Sequence, residues 1–459
     1  MAQLGPVIGA ERLDQLVVAA ARFRAVAAGR TVWNISSTAV GGGVAEMLQV
    51  LCGYVTDLDI DVRWMVIGGD ADFFTVTKRL HNQIHGQPDG GDLDNAEADH
   101  YAAILASNTP ALVDEVRPGD LVLLHDPQTA GLTARLVEAG AMVVWRCHIG
   151  IDRQNDVSRA AWEFLRPYLA RAHAYVFTRR PYVPQWMPDA LTRIIPPSID
   201  PFSAKNQPMD AGTVRAILTG IGVLDGAPPD GPRWFVRRDG TRGEVARTAR
   251  VAADALPGPE DPYVLQVSRW DRLKDMAGVM RSFVDHVAPS APGYLILAGP
   301  AVDAVSDDPE GTAVYGECLT MWQRLPTEVR RRVVLVTLPL DDVDENAAMV
   351  NALQRHAAVI AQKSLAEGFG LTVAEGMWKG RPVVGSAVGG IQDQIVDGTG
   401  VLRDPSDLAA FGAALRTLLN RPNLAERMGA SAKAHVLANF VGDRHLLRYA
   451  ELFGTLLDG

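Results

Sequence analysis

Apolar positions alternate between two rhythms along the chain. Residues 10–26, 72–85 and 96–112 carry apolar side chains at helical spacing, and each stretch predicts a helix with one buried face. Between and after them lie short, nearly unbroken apolar runs at 31–36 (TVWNIS), 61–69, 120–126 (DLVLLHD), 141–149 (AMVVWRCHI) and 174–178. Strands apolar on both faces belong in a parallel sheet covered by helices on each side. The rhythm returns at 263–268, 294–299, 332–338, 357–364, 381–386 and 400–403, so the chain reads as two doubly wound α/β units. From 424 to 457 the pattern is helical again.

Residues 207–260 lose this periodicity, and Gly, Pro, Arg and Asp crowd 226–243. That predicts an interdomain connection with an irregular insertion. The expected division is 1–206, then a connection over 207–260, then 261–439, with a final helix from about 440 to 459. Arg237, Arg238, Arg242 and Arg247 form a basic patch in the connection, which by itself reads as a solvated linker.

Length agrees with two cores, since 459 residues exceed what one core holds. The balance of 47% hydrophobic and 21% charged residues is that of a soluble globular protein. Acidic residues outnumber Lys plus Arg by 54 to 44, for a net charge of −10. This argues against a nucleic-acid surface and leaves room for a local basic pocket around one diphosphate. Cys52, Cys147 and Cys318 have no paired spacing for zinc or a redox motif, and reduced thiols in the cytoplasm are expected. The N-terminus lacks a basic segment before an apolar signal core, and no run reaches the length of a membrane span. A cytoplasmic protein without a membrane partner is the expectation.

In doubly wound sheets, ligands gather at the carboxyl ends of strands. His125, Asp126 and residues 146–148 fall there. Taken singly, His125 or His148 reads as a hydrogen-bonded histidine closing a strand. Asp126 reads as a helix N-cap before Pro127, and Trp145 as core. Ser37-Thr-Ala-Val-Gly-Gly-Gly43 joins a strand to a helix over 44–54 and leaves the backbone bare to a ligand. It is neither the spaced dinucleotide fingerprint nor a P-loop, and alone it is also a tight turn. Arg269 and Lys274, after the strand at 263–268, can set two positive charges beside a diphosphate, or be ordinary surface charge.

Glu367-Gly-Phe-Gly-Leu-Thr-Val-Ala-Glu375 reads as a strand exit, a Gly-rich turn and the start of a helix over 371–378. Such a turn aims free backbone N–H groups and the positive end of a helix dipole at one point, which suits a phosphate. Glu367 can then sit over the phosphates, while Glu375 lies further along the helix at about 1.5 Å per residue. Without its context the turn is a common one with two solvated glutamates.

The whole string resembles the E-x7-E signature of the retaining nucleotide-sugar glycosyltransferases of family 4. Asn34-Ile-Ser-Ser-Thr-Ala-Val-Gly-Gly-Gly-Val-Ala-Glu46 is similar to the opening motif of the trehalose glycosyltransferring synthases and the related retaining trehalose phosphorylases. His125-Asp-Pro-Gln128, Trp145-Arg-Cys-His-Ile149 and Pro197-Ser-Ile-Asp-Pro201 fit the same subfamily in the same order. Arg269 and Lys274 resemble its R-x4-K pair. The resemblance runs over most of 31–201, is weak across 207–260, and resumes at 262.

The resemblance implies the GT-B arrangement, two doubly wound Rossmann-like domains facing across a cleft, with the last helix crossing back to the first. It implies retaining transfer of glucose from a nucleoside diphosphate glucose to the anomeric hydroxyl of free glucose, giving α,α-trehalose, with reversibility among the expectations. Within the class the alternatives are a retaining trehalose phosphorylase and a family 4 glucosyltransferase with another acceptor. Outside it stands an inactive nucleotide-sugar-binding protein.

By the same resemblance, His148, Asp126, Arg269, Lys274 and Glu367 carry the catalysis. Arg269 and Lys274 neutralise the departing diphosphate, with N–H donors from Gly368, Phe369, Gly370, Leu371 and Thr372. Glu367 holds hydroxyls of the donor sugar, Glu375 those of the ribose, and Leu340 lies near the nucleobase. Gly42 and Gly43 reach the donor from the first domain, and His148 lies beside the transferring sugar. Asn34, Glu46, Asp126, Gln128 and Arg146 bind the acceptor. No carboxylate pair calls for a covalent glycosyl intermediate. No metal-ligand spacing is evident, so a metal-free and cofactor-free reaction is expected, with small-molecule partners and a homodimer.

Overall fold

The computed structural model describes residues 3–39, 42–88, 90–91, 93–227, 231–302 and 309–458. The chain forms two units, Met1–Ile199 with Phe440–Gly459, and Asp200–Asn439.

The first unit is built on six strands, β1 (Val32–Ser36), β2 (Val62–Val66), β3 (Leu121–His125), β4 (Met142–Cys147), β5 (Ala174–Phe177) and β6 (Thr192–Ile194). All pair in parallel, in the order β2-β1-β3-β4-β5-β6. Alternate side chains feed different layers, as the period of two along a strand requires. Trp33, Ile35, Val122, Leu124, Trp145 and Phe177 join a core with Phe73, Tyr101 and Trp162 from the helices Ala71–Ile84, Asn95–Glu115 and Asp156–Leu169. Val32, Leu121, Leu123, Val144 and Val176 pack instead with Phe23, Tyr449 and Phe453, from the helices Ala10–Val26 and Gly442–Asp458. This double burial is why β1 and β3 appear as unbroken apolar runs. The last helix is fixed to the first by Phe23 against Phe453 (centroids 6.1 Å apart) and by a two-pronged Arg12–Asp443 ion pair at 2.9 and 2.7 Å.

The second unit adds β7 (Trp234–Val236), β8 (Arg242–Glu244), β9 (Arg250–Ala252), β10 (Tyr263–Val267), β11 (Tyr294–Pro300), β12 (Val333–Leu338), β13 (Val359–Gln362), β14 (Val383–Ser386) and β15 (Gly400–Arg403). Its main sheet runs β15-β14-β13-β10-β11-β12-β9, parallel except for β9 on the edge. Connections reverse direction between β10 and β13, and the crevice at their carboxyl ends is the place where such sheets bind ligands. The corresponding point of the first sheet lies between β1 and β3.

Residues 207–260 depart from the irregular interdomain connection expected for them. They belong to the second unit, as a helix Ala211–Gly220 capped by Asp210, a β7–β8 hairpin, and the edge strand β9. Strands of three residues are too short to display a period, which is why the sequence looked featureless there. The basic patch is also neutralised. Arg237 grips Asp342 at 3.0 and 2.6 Å, Arg247 pairs with Glu345, and Arg238 lies 3.8 Å from Asp344. Arg242 covers the ring of Trp234. Among the described residues, no helix is long and apolar enough to cross a membrane.

Candidate active site

Each unit places a polar cluster at its switch point. In the first, Asn34 lies in β1, His125 closes β3, and His148 follows β4. Asn34 Oδ1 is 3.2 Å from His125 Nε2, and His125 Nδ1 is 3.1 Å from His148 Nε2. The guanidinium of Arg146, fully buried, lies with Nε 3.0 Å from His148 Nε2 and 3.3 Å from Nδ1. Its Nη1 donates to the hydroxyl of Tyr449 and its Nη2 to the carbonyl of Ile195 at 3.2 Å. Burial and the neighbouring Arg146 charge push His125 down to about 3 and His148 well below the usual histidine range, so both rings are neutral.

Asp126 is held in an unusual way. Its backbone sits at φ 61° and ψ 177°, a region almost reserved for glycine that costs about 1–3 kcal/mol. Hydrogen bonds to its N–H, its carbonyl and its carboxylate keep it there. Asp126 N–H donates to the carbonyl of Arg146 at 2.8 Å, Trp145 Nε1 donates to the Asp126 carbonyl at 3.1 Å, and His148 N–H donates to Oδ1 at 2.8 Å. The carboxylate does not cap the Pro127–Leu132 turn, although it precedes it, so the N-cap reading is corrected. Burial lifts its pKa to about 7 against the opposing pull of the His148 N–H and Arg146. One side of Asp126 still meets solvent, which limits that shift.

The other first-unit candidates lie on the elements that follow β1 and β3. Gln128 is in the Pro127–Leu132 turn, and its Oε1 is buried with no hydrogen-bond partner among the described residues. Gly42, Gly43 and Glu46 all lie in the helix Gly42–Thr56, which begins two residues earlier than the expected 44. Gly42 and Gly43 therefore form its first turn rather than a loop before it. Gly41 lies outside the described residues.

In the second unit, the loop after β10 and the loop after β13 are tied together. Lys274 Nζ donates to Glu367 Oε2 at 2.6 Å, and Ser364 Oγ donates to the same oxygen at 3.2 Å. Leu365 N–H donates to the carbonyl of Leu273 at 2.7 Å. Gln266 bridges both loops, its Nε2 on the Lys274 carbonyl at 2.7 Å and its Oε1 on Lys363 N–H at 2.9 Å. Gly370 is left-handed (φ 82°, ψ 62°) and caps the helix Leu371–Trp378 with no side chain. That leaves the helix N-terminus uncovered by its own cap. A Cβ on Gly390 would sit 2.6 Å from the Phe369 Cα, so glycine is required where these two loops touch.

The remaining donor-side candidates are dispersed. Arg269 turns its guanidinium to Asp271 at 2.9 Å rather than joining the Lys274–Glu367 pair. Thr372 Oγ1 donates to Gln362 Oε1 at 2.8 Å. Leu340 is half-buried beyond β12. Glu375 is buried inside the helix, with Lys205 Nζ 3.6 Å from Oε1 and, among the described residues, no hydrogen-bond partner for Oε2. Nearby Lys379 donates to Asn206 Oδ1 at 2.9 Å, and burial holds its ammonium well below the usual lysine range.

Several contributors were not singled out from the sequence. Lys363, buried at the exit of β13, pairs with Asp275, a left-handed residue (φ 42°) that also caps the helix Met276–His286. Tyr449 and His445 on the last helix back Arg146 from behind. Lys363 lies within an apolar run that was read as strand, and Tyr449 lies far from Arg146 in the chain. Neither carries a local signal.

Two parallel Rossmann-like units with these loops define a GT-B glycosyltransferase. Residues 34–184 match the family model described as "Trehalose synthase, N-terminal domain", and residues 343–435 match "Glycosyl transferases group 1". A trehalose synthase of Pyrococcus horikoshii is 34% identical over 98% of this chain and 95% of its own length. The chain belongs to the trehalose synthase family. A trehalose phosphorylase of Pleurotus sajor-caju is 28% identical over 89% of this chain, which spans 55% of that longer protein. Among solved structures, an α,α-trehalose 6-phosphate synthase from Burkholderia multivorans superposes with a TM-score of 0.67, at 14% identity, over 93% of this chain and 97% of its own. That likeness is one of fold.

Proposed function

We propose that the chain catalyses retaining transfer of glucose from a nucleoside diphosphate glucose to the anomeric hydroxyl of free glucose, forming α,α-trehalose. The observation that carries this reading is the Lys274–Glu367 pair beside the uncapped helix start at Gly370, at the switch point of the second sheet. A cation and the positive end of a helix suit a leaving diphosphate, and a carboxylate suits the hydroxyls of the sugar attached to it. The unpartnered Glu375 Oε2 further along the same helix suits a ribose hydroxyl.

In this reading the bond from C1 to the phosphate oxygen breaks, the acceptor oxygen bonds to C1 on the same face, and its proton passes to the departing phosphate oxygen. The second unit's loops stabilise the charge that develops on the diphosphate. Asp126 and its neighbours orient the acceptor. His148 has both ring nitrogens close to His125 or Arg146, so its part is to shape the pocket beside the sugar rather than to take the proton.

Homology over nearly the full length of a trehalose synthase, against about half of a phosphorylase, supports trehalose synthesis rather than phosphorolysis. The test is to incubate the protein with trehalose and, separately, ADP, UDP, GDP or phosphate, and to identify the sugar product. A nucleoside diphosphate glucose is expected. Glucose 1-phosphate alone would make the chain a phosphorylase, and no product in any mixture would overturn the reading.

A further inference from the structure

We infer that Tyr449, on the last helix of the chain, is a positioning residue of the acceptor-side site that acts through Arg146 on the ring of His148. The inference rests on the acceptor role proposed above for the first unit. Tyr449 is itself nearly buried, with its ring packed on Phe453 and His445 (centroids 5.5 and 5.1 Å away) and beneath the Arg146 guanidinium at 5.5 Å. Phenylalanine would satisfy all of that packing. What only tyrosine provides is the hydroxyl that accepts from Arg146 Nη1.

A guanidinium is planar, so holding its far end sets the direction of its Nε–H. Tyr449 and the Ile195 carbonyl hold Nη1 and Nη2, which leaves Nε directed at His148. The proton pattern of the chain of rings then follows from donors and acceptors. Asn34 Oδ1 only accepts, so His125 Nε2 carries hydrogen and His125 Nδ1 is bare. His125 Nδ1 therefore faces His148 Nε2 as an acceptor, and Arg146 Nε lies against both His148 nitrogens, 3.0 Å from Nε2 and 3.3 Å from Nδ1, so turning the guanidinium changes the surroundings of the whole ring. His445 cannot replace Tyr449 in its present pose. Its Nδ1 lies 3.0 Å from the Pro196 carbonyl, and its Nε2, though buried, has no partner among the described residues. The charged and titratable groups around His148 are thus Arg146, His125, His445 and Asp126, and only Arg146 is tied to Tyr449 by a hydrogen bond.

The test compares Tyr449→Phe with Leu452→Val, which loosens the same helix at another buried position. Tyr449→Phe is expected to lower kcat with glucose about three- to tenfold, less than the full loss of a hydrogen bond to a charged group because the effect reaches the site only through Arg146, while the KM for the donor stays unchanged. Leu452→Val is expected to lower the melting temperature without changing kcat. Histidine 15N spectra supply a readout that needs no turnover, with His148 assigned by its loss in His148→Gln. The unmodified protein should show one protonated and one bare ring nitrogen at His148, and Tyr449→Phe should shift both signals, since Arg146 Nε lies against both. If Tyr449→Phe changes only the melting temperature, as Leu452→Val does, or leaves the His148 signals in place, the inference is wrong. If the unmodified protein makes no trehalose, the proposed function fails instead, and the 15N comparison still decides the role of Tyr449.

Discussion

Lys274 Nζ lies 2.6 Å from Glu367 Oε2, so the cation offered to a diphosphate and the carboxylate offered to its sugar are already in contact. Both side chains are largely withdrawn from water, at 17% and 12% exposure. A pair in that setting is screened less than a surface pair, and its geometry is fixed before any ligand arrives. Arg269, by contrast, is more than half exposed and bound to its own neighbour Asp271. Of the two positive charges, Lys274 is the one the fold has built into place.

Lys274→Ala should therefore lower kcat/KM for the nucleotide sugar at least about tenfold. A charge-assisted contact of about 1.5–3 kcal/mol is lost, and about 1.36 kcal/mol is one decade. Because the substitution also leaves Glu367 without its cation, Lys274→Ala combined with Glu367→Gln serves as the control for folding. Turnover near that of the unmodified protein, with folding intact, would remove Lys274 from the site.

Lys363 and Asp275 make the supporting link between the same two loops. Lys363 is 1% exposed, and losing one partner of a buried pair costs about 3–5 kcal/mol because the other charge remains. Lys363→Met should lower the urea midpoint accordingly with the m-value unchanged. Adding Asp275→Asn should restore part of the loss, since asparagine tolerates the left-handed backbone and the charge then left without its partner is the half-exposed Arg281, which water can solvate. A single variant within about 0.5 kcal/mol of the unmodified protein would show the pair to be dispensable.

The two doubly wound units were legible because β1, β3, β10, β12 and β13 are buried on both faces, which writes unbroken apolar runs into the chain. The turn before Leu371 was legible for a related reason, since Gly370 and its neighbours meet a backbone requirement that is local. Pairings made through space were not. Nothing in residues 237–247 announces Asp342 or Glu345, and nothing near Arg146 announces Tyr449. Hence residues 207–260 read as a linker from the sequence alone, and Tyr449 behind Arg146 carries no signal there.

Asp126 links stability to pH with a definite sign. Its folded pKa of about 7 lies above the usual carboxylate value, so its contribution is fully present at low pH and is lost as pH rises from about 4 through 7. The buried histidines work in the opposite sense. Their lowered pKa values weaken the fold as pH falls below about 6.5. The informative measurement is the difference between Asp126→Asn and the unmodified protein. Asparagine should be relatively more stabilising at pH 8 than at pH 4, while transfer to glucose is lost. A difference that does not change with pH would mean that Asp126 ionises as an ordinary surface carboxylate.

Activity should survive exhaustive treatment with EDTA. Among the described residues, no group of three or more His, Cys, Asp or Glu side chains is placed to hold a metal ion, and the positive charge beside Glu367 comes from Lys274. A loss reversed specifically by magnesium or manganese would overturn this account of how the diphosphate is held.

Acceptor choice separates trehalose synthesis from transfer to other sugars. An acceptor hydroxyl bonded to a partly buried carboxylate is hard to replace, because an analogue lacking it strands the charge. Free glucose should be a good acceptor and glucose 6-phosphate a poor one. The cation that acts on Asp126 is Arg146, yet its Nε, Nη1 and Nη2 are directed at His148, Tyr449 and Ile195, so it is already engaged where a phosphate dianion would meet Asp126. Asp126→Gly is the cleanest variant, since glycine relieves the backbone at φ 61° while removing the carboxylate. It should lose transfer to glucose and still bind the donor nucleotide, whose proposed grip lies in the second unit. A protein that prefers glucose 6-phosphate, or an Asp126→Gly variant that loses nucleotide binding but retains transfer, would reverse the assignment of donor and acceptor to the two units.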